Sequence, residues 1–163
     1  MNIFKTLVFT ILVPCLVTIL IPRWLPSAQP SQPASAFRYL GLISIAIGAA
    51  IYLWCAWDFA TFGKGTPAPI DPPKELVVRG LYHFTRNPMY VGVLSILLGE
   101  AVLFESTVLV AYAGAILLLF QLFIVIYEEP ALAKQFGEAY RTYCATVPRW
   151  IPRFSNLAER PAR

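Results

Sequence analysis

Four windows of this chain, Thr6 to Ile21, Tyr39 to Trp57, Met89 to Phe104 and Thr107 to Ile126, contain no lysine, arginine or aspartate, and only the third holds an acid, Glu100. In hydrocarbon a backbone must satisfy its own hydrogen bonds, and continuous apolar runs without strand-like alternation favour helices over a barrel. At ~1.5 Å per residue the two longer windows come close to a ~30 Å hydrocarbon core, while the first and third need flanking residues to finish a span. Composition agrees, with 58% hydrophobic and 13% charged residues against roughly a quarter charged in a soluble domain. The expected fold is an all-α membrane protein, one integral-membrane domain over 1–163. It has about four transmembrane helices plus a C-terminal amphipathic interfacial helix.

The first window has a second reading as a secretory signal, because Lys5 precedes it and Pro26-Ser27-Ala28 follows. The run is long for a signal core and ends at Pro22-Arg23, which favours a retained helix. Basic residues set the orientation. With the amino terminus inside, Lys5, the loop bearing Lys64, Lys74, Arg79 and Arg86, and the tail from Lys134 all lie in the cytoplasm, leaving only Arg23 and Arg38 outside. The positive-inside rule therefore puts both termini in the cytoplasm. The net charge of +4 reads as topology and attraction to anionic lipid, not as nucleic-acid binding.

Little chemistry lies outside the polar junctions. Cys15, Cys55 and Cys144 have neither metal nor disulfide spacing, and His83 is the only histidine, so no metal site is expected. The linker Pro22 to Arg38 is proline-rich and external. The linker Asp58 to Thr85 contains Gly63-Lys64-Gly65-Thr66-Pro67, a turn sequence that also permits close backbone approach to a ligand. Gly41, Ser44 and Gly48, and on the third window Gly92 and Gly99, recur on one helix face and allow tight helix packing.

The polar junctions are more specific. Arg86-Asn87-Pro88-Met89-Tyr90-Val91-Gly92 opens the third window, and Tyr127-Glu128-Glu129-Pro130 closes the fourth. A helical hairpin returns both clusters to one membrane face, building one site from two distant sequences. Glu128 and Glu129 also suit the positive end of a helix that begins at Pro130. Gln121, seven residues before Glu128, extends a polar stripe into the bundle, where ionisable groups are functional candidates. Glu100, nearer the external end, reads as interfacial. Beyond Pro130, Leu132, Phe136, Tyr140 and Tyr143 share a stripe suited to a membrane surface, and Trp150 suits an interfacial anchor.

Together with Phe136-Gly137-Glu138-Ala139-Tyr140-Arg141-Thr142-Tyr143 and Val147-Pro148-Arg149-Trp150-Ile151-Pro152, these clusters resemble the integral-membrane methyltransferases. That superfamily includes isoprenylcysteine carboxyl methyltransferases and phospholipid N-methyltransferases. The resemblance covers roughly residues 58 to 152.

It implies methyl transfer from S-adenosylmethionine to a lipidic or lipidated acceptor, an isoprenylcysteine carboxylate or a phospholipid amine, at the cytoplasmic membrane face. By the matched motifs Arg86, Asn87, Pro88, Tyr90, Gly92, Glu128 and Glu129 are the implied cofactor-site positions. Glu129 is the candidate general base for an amine acceptor, and Arg141 or Arg149 the candidate holder of an anionic acceptor group. Asn87 stands where the prenylcysteine enzymes commonly have histidine, which brings the chain closer to the phospholipid enzymes. The alternative is a non-catalytic membrane binding protein on the same scaffold.

Overall fold

The computed structural model describes residues 12–25, 36–63 and 75–152. Among the described residues every regular element is helical. Helix α1 spans Leu12–Trp24. Helix α2 spans Leu40–Asp58, entered by a 3-10 turn at Ala36–Tyr39 and left by a π turn at Phe59–Gly63. Next come α3 (Pro88–Leu103), α4 (Thr107–Phe123), α5 (Glu129–Phe136) and α6 (Glu138–Thr146). A π turn at Ile124–Glu128 joins α4 to α5, so Thr107–Phe136 is a continuous helix of 30 residues.

Two helices are long and apolar enough to cross a membrane, Ala36–Asp58 and Thr107–Phe136. Only 17% and 22% of their apolar windows are buried inside the protein. A soluble core helix would hide most of that surface, whereas these two present it outward, as lipid-facing helices do. Leu12–Trp24 and Pro88–Leu103 are shorter. The first apolar window as far as residue 11, the Pro26-Ser27-Ala28 of the secretory-signal reading, and Lys64 to Pro67 lie outside the described residues.

Helices α2 and α3 run antiparallel along a seam of small residues. A Cβ placed on Gly48 would sit 2.5 Å from the Gly92 carbonyl oxygen, and one on Gly99 would sit 2.7 Å from that of Gly41. Between these two crossings the Ser44 hydroxyl donates to the Ser95 carbonyl at 2.8 Å. Lipid provides no hydrophobic drive for helix association, so close backbone approach of this kind supplies dispersion contact in its place. The turn from α3 to α4 is short. Ser106 is 1% exposed and its hydroxyl accepts the Leu109 amide at 3.3 Å, capping α4.

The carboxy-terminal stripe departs from the single helix expected. Gly137, at φ +55°, breaks it into α5 and α6, a conformation that glycine adopts at low cost. Tyr140, Tyr143 and Val147 then form a buried cluster with Leu132, Ala133 and Phe136, against Leu76 and Val78 of the preceding loop. The tyrosines of the stripe therefore pack on protein.

Candidate functional site

The start of α3 meets the end of α4. Pro88 is the first residue of α3, where its missing N–H is no loss, and the residues just before it turn toward the chain's end. The Arg86 guanidinium donates to Glu129 Oε1 at 3.0 Å and to Cys144 Sγ at 2.9 Å. From the other side Arg149 donates from Nε to Glu129 Oε1 and from Nη2 to Oε2, both at 2.9 Å. Glu129 is thus held bidentately by one arginine and singly by a second. Such forked geometry is the strong form of an ion pair, and the bonds to Glu129 keep the Arg149 guanidinium more basic than usual.

One residue earlier, Glu128 accepts the Tyr90 hydroxyl at 2.8 Å through Oε2. The Tyr90 ring lies 4.6 Å from that of Phe120, centroid to centroid. Adjacent glutamates on a regular helix point about 100° apart, and the π turn at Ile124–Glu128 shifts their register relative to Gln121. π turns recur at functional sites because they re-aim side chains in this way.

Arg86, Tyr90, Phe120, Glu128 and Glu129 line a cavity of about 600 Å³, inside the range of small-molecule sites, and Arg149 pairs with Glu129 from outside that lining. The cavity's polar wall includes Arg86, Asn87, Glu128, Glu129 and Gln135. The rest is apolar and aromatic, with Val17 from α1, Tyr52 from α2, Val93 from α3 and Phe120 from α4 among its lining. Tyr82, Tyr140 and Tyr143 close the end nearest the loop and α6. Burial pushes the phenols of Tyr82 and Tyr143 far above their ordinary range, so both stay protonated and act as hydrogen-bond donors. The Tyr143 hydroxyl donates to the Tyr82 carbonyl at 2.8 Å.

The implied site residues divide into three groups. Arg86, Asn87, Tyr90, Glu128 and Glu129 converge on the cavity. Pro88 and Gly92 are buried behind it: Pro88 starts the helix, and Gly92 packs on the Gly48 carbonyl in the seam. Arg141 is not brought to the cavity. Its guanidinium lies 3.4 Å from Glu138 on the exposed side of α6, the two side chains being 75% and 80% exposed.

One residue at the site escaped the reading of the sequence, and two others were read without their partners. Tyr82 lies in a loop whose proline and glycine content announces only turns. Arg149 carried a role toward the acceptor, and the structure shows it paired with Glu129. Trp150, expected as an interfacial anchor, donates its indole N–H to Gln121 Oε1 at 2.8 Å. One signal was available in the motif Val147-Pro148-Arg149-Trp150 itself, since an arginine and a tryptophan beside a proline in an otherwise polar tail suit a docked segment.

The family model described as phospholipid methyltransferase matches residues 37–139. The match takes in α2 to α5 and the first residues of α6, and it starts upstream of the residue 58 boundary drawn from motifs. No curated protein matches the chain. With well over half its length matched, and with both polar clusters inside the matched span, the chain belongs to the phospholipid methyltransferase family.

Proposed function

We propose that this protein transfers a methyl group from S-adenosylmethionine to the amine of a membrane lipid, within the cavity lined by residues of all six helices. The observation that carries this reading is the charge layout of the cavity wall. Arg86 and Glu129 of the wall, with Arg149 paired to Glu129 from outside the lining, together hold one net positive charge, and Glu128 beside them brings a negative one. A wall of that kind is complementary to a zwitterion such as the α-ammonium and carboxylate of the cofactor.

The residues present fit the cofactor. Arg86 Nε is buried without a hydrogen-bond partner among the described residues, a donor free to meet a carboxylate. Glu128 faces the cavity and can receive an ammonium or ribose hydroxyls. Tyr90 and Phe120 offer aromatic faces to a cationic or planar group. When bound, the cofactor supplies an electrophilic methyl on a sulfonium. The chain's part is to align the acceptor and exclude water, and positioning alone is worth up to about 7–11 kcal/mol in good cases.

An amine acceptor must lose a proton before it attacks. Glu129, with both oxygens accepting from guanidinium groups, suits a structural role in holding the arginines, and Glu128 is the better placed of the two to meet the acceptor. The amine is favoured over a carboxylate by the family match and by Asn87 in place of histidine. In this reading α1 to α4 all span, with both termini cytoplasmic, and the two shorter helices complete their spans with flanking residues.

The test is transfer of label from methyl-labelled S-adenosylmethionine by purified protein in vesicles containing phosphatidylethanolamine, beside vesicles offering a prenylcysteine analogue. Base-stable label in the amine lipid is expected. Label released by base as a volatile product would overturn the amine in favour of a carboxyl ester, and absence of transfer to either would favour a binding protein.

A further inference from the structure

We propose that Thr85 and Gln121 are positioning residues, forming a polar clasp that pins the Pro148–Trp150 segment and thereby seats Arg149 across Glu129. The inference rests on the reading of the Arg86–Glu129–Arg149 node as part of the cofactor site.

The segment after α6 has no regular structure to hold it. Val147, 2% exposed, anchors its start in the tyrosine cluster. The next three residues are held from outside. The Arg86 amide donates to the Pro148 carbonyl at 2.9 Å. The Thr85 hydroxyl lies 2.9 Å from the Arg149 carbonyl and 3.1 Å from that of Trp150, and Asn87 Nδ2 donates to the Arg149 carbonyl at 3.1 Å. On the far side Gln121 of α4 accepts the Trp150 indole N–H at 2.8 Å.

Four of these bonds hold backbone carbonyls of residues 148–150 and the fifth holds the neighbouring Trp150 indole, and none touches the Arg149 guanidinium. Two parallel bonds to one carboxylate require the arginine's Cα to be held in place, because its side chain otherwise carries about 2 kcal/mol of rotamer freedom. Thr85 is 4% exposed and is not among the cavity-lining residues, and among the described residues its hydroxyl is bonded to this segment. A buried hydroxyl without a partner is costly, and a valine of the same shape would serve packing alone. Asn87, which does not cap α3 with its side chain, sends its amide nitrogen to the Arg149 carbonyl.

Two measurements on purified protein in lipid nanodiscs test this. The first is peptide-resolved hydrogen exchange across residues 84–87 and 147–152 without ligand, for wild type, Thr85→Val, Thr85→Ser and Gln121→Leu. The second is the Kd for S-adenosylmethionine of wild type and Thr85→Val, each also in an Arg149→Met background. Thr85→Val should speed exchange and weaken binding about tenfold, the worth of one or two buried hydrogen bonds, and Thr85→Ser should restore both. Gln121→Leu should speed exchange of the same peptides. In the Arg149→Met background Thr85→Val should add nothing, since its effect travels through Arg149.

Unchanged exchange in Thr85→Val or Gln121→Leu, or the same tenfold loss of affinity in both backgrounds, would overturn the proposal. Should Thr85→Val not fold, Gln121→Leu decides by the same exchange. Failure of wild type to bind the cofactor would remove the functional reading instead, and exchange would still decide whether the clasp exists.

Discussion

The seam between α2 and α3 and the node around Glu129 hold the same helix, α3, at different levels and by opposite means. In the seam the crossings are made at glycines: Gly41, Gly48, Gly92 and Gly99 let carbonyl groups of one backbone meet the other. At the node, long side chains cross the gap, and Arg86, Glu129 and Arg149 join α3, α5 and the tail through charge-assisted bonds. A seam of backbone atoms cannot yield to an added methyl group. A network of side chains can lose one bond and keep the others, so it should fail by degrees.

The largest effect should come from filling the seam. Gly48→Val puts atoms where a Cβ alone would lie 2.5 Å from the Gly92 carbonyl oxygen and 2.9 Å from the Ile96 amide nitrogen. Both are backbone atoms, so repacking offers little relief, and the cost should reach or exceed the ~3 kcal/mol upper end of ordinary overpacking. The expected outcome is loss of folded protein from the membrane fraction, or collapse of the thermal midpoint in detergent. Gly114 is the control, because a Cβ there meets nothing within 4 Å. Gly114→Ala should be neutral or stabilising by up to ~1 kcal/mol. Equal behaviour of the two variants would show that the seam does not carry the fold.

The node should break next. Glu129→Ala leaves Arg86 and Arg149, whose side chains are only 15% and 31% exposed, without their anion. Removing one member of a buried ionic group costs about 3–5 kcal/mol, and the partial exposure here lowers that to about 2–4. The protein should fold with a reduced thermal midpoint and bind S-adenosylmethionine at least tenfold more weakly. Unchanged affinity together with a lower midpoint would reduce the node to a structural brace.

The two regions also differ in how far the sequence disclosed them. Glycine spacing of seven residues carries the seam, because one helix face follows from local geometry alone; which helix it meets was not local information. The node is built from residues 86, 129 and 149, and no periodicity links positions so far apart. The two clusters could be brought to one end of the bundle by reasoning about a hairpin, but the pairing of Arg149 required knowing where the tail folds. Two local features misled the reading. Gly137 allowed a break that a continuous stripe from Leu132 to Tyr143 concealed, and the π turn before Glu128 leaves no mark in hydrophobic periodicity. Arg141 matched a motif, yet its position on α6 turns it away from the cavity.

A smaller change sharpens the comparison. Arg149→Lys keeps the charge and loses the fork, so one of its two bonds to Glu129 goes while Arg86 still holds Oε1. A lysine is not an equivalent replacement at a bidentate site. The loss should be about 1 kcal/mol in stability, with cofactor affinity down roughly fivefold. A loss as large as that of Glu129→Ala would mean that the node fails all at once, like the seam.

The smallest effect should belong to Arg141→Ala. Its pair with Glu138 is 3.4 Å long, three residues apart on one helix, and largely in solvent, a class of ion pair worth about 0–0.5 kcal/mol. Methyl-transfer kcat/KM should stay within about twofold of wild type, and the thermal midpoint should not move. The result separates two kinds of arginine in one short tail: Arg149, forked onto Glu129, and Arg141, paired among the described residues with a neighbour on α6. A tenfold fall in kcat/KM with normal cofactor affinity would instead bring the exposed face of α6 into contact with the lipid acceptor, and the acceptor's route would then run over that face.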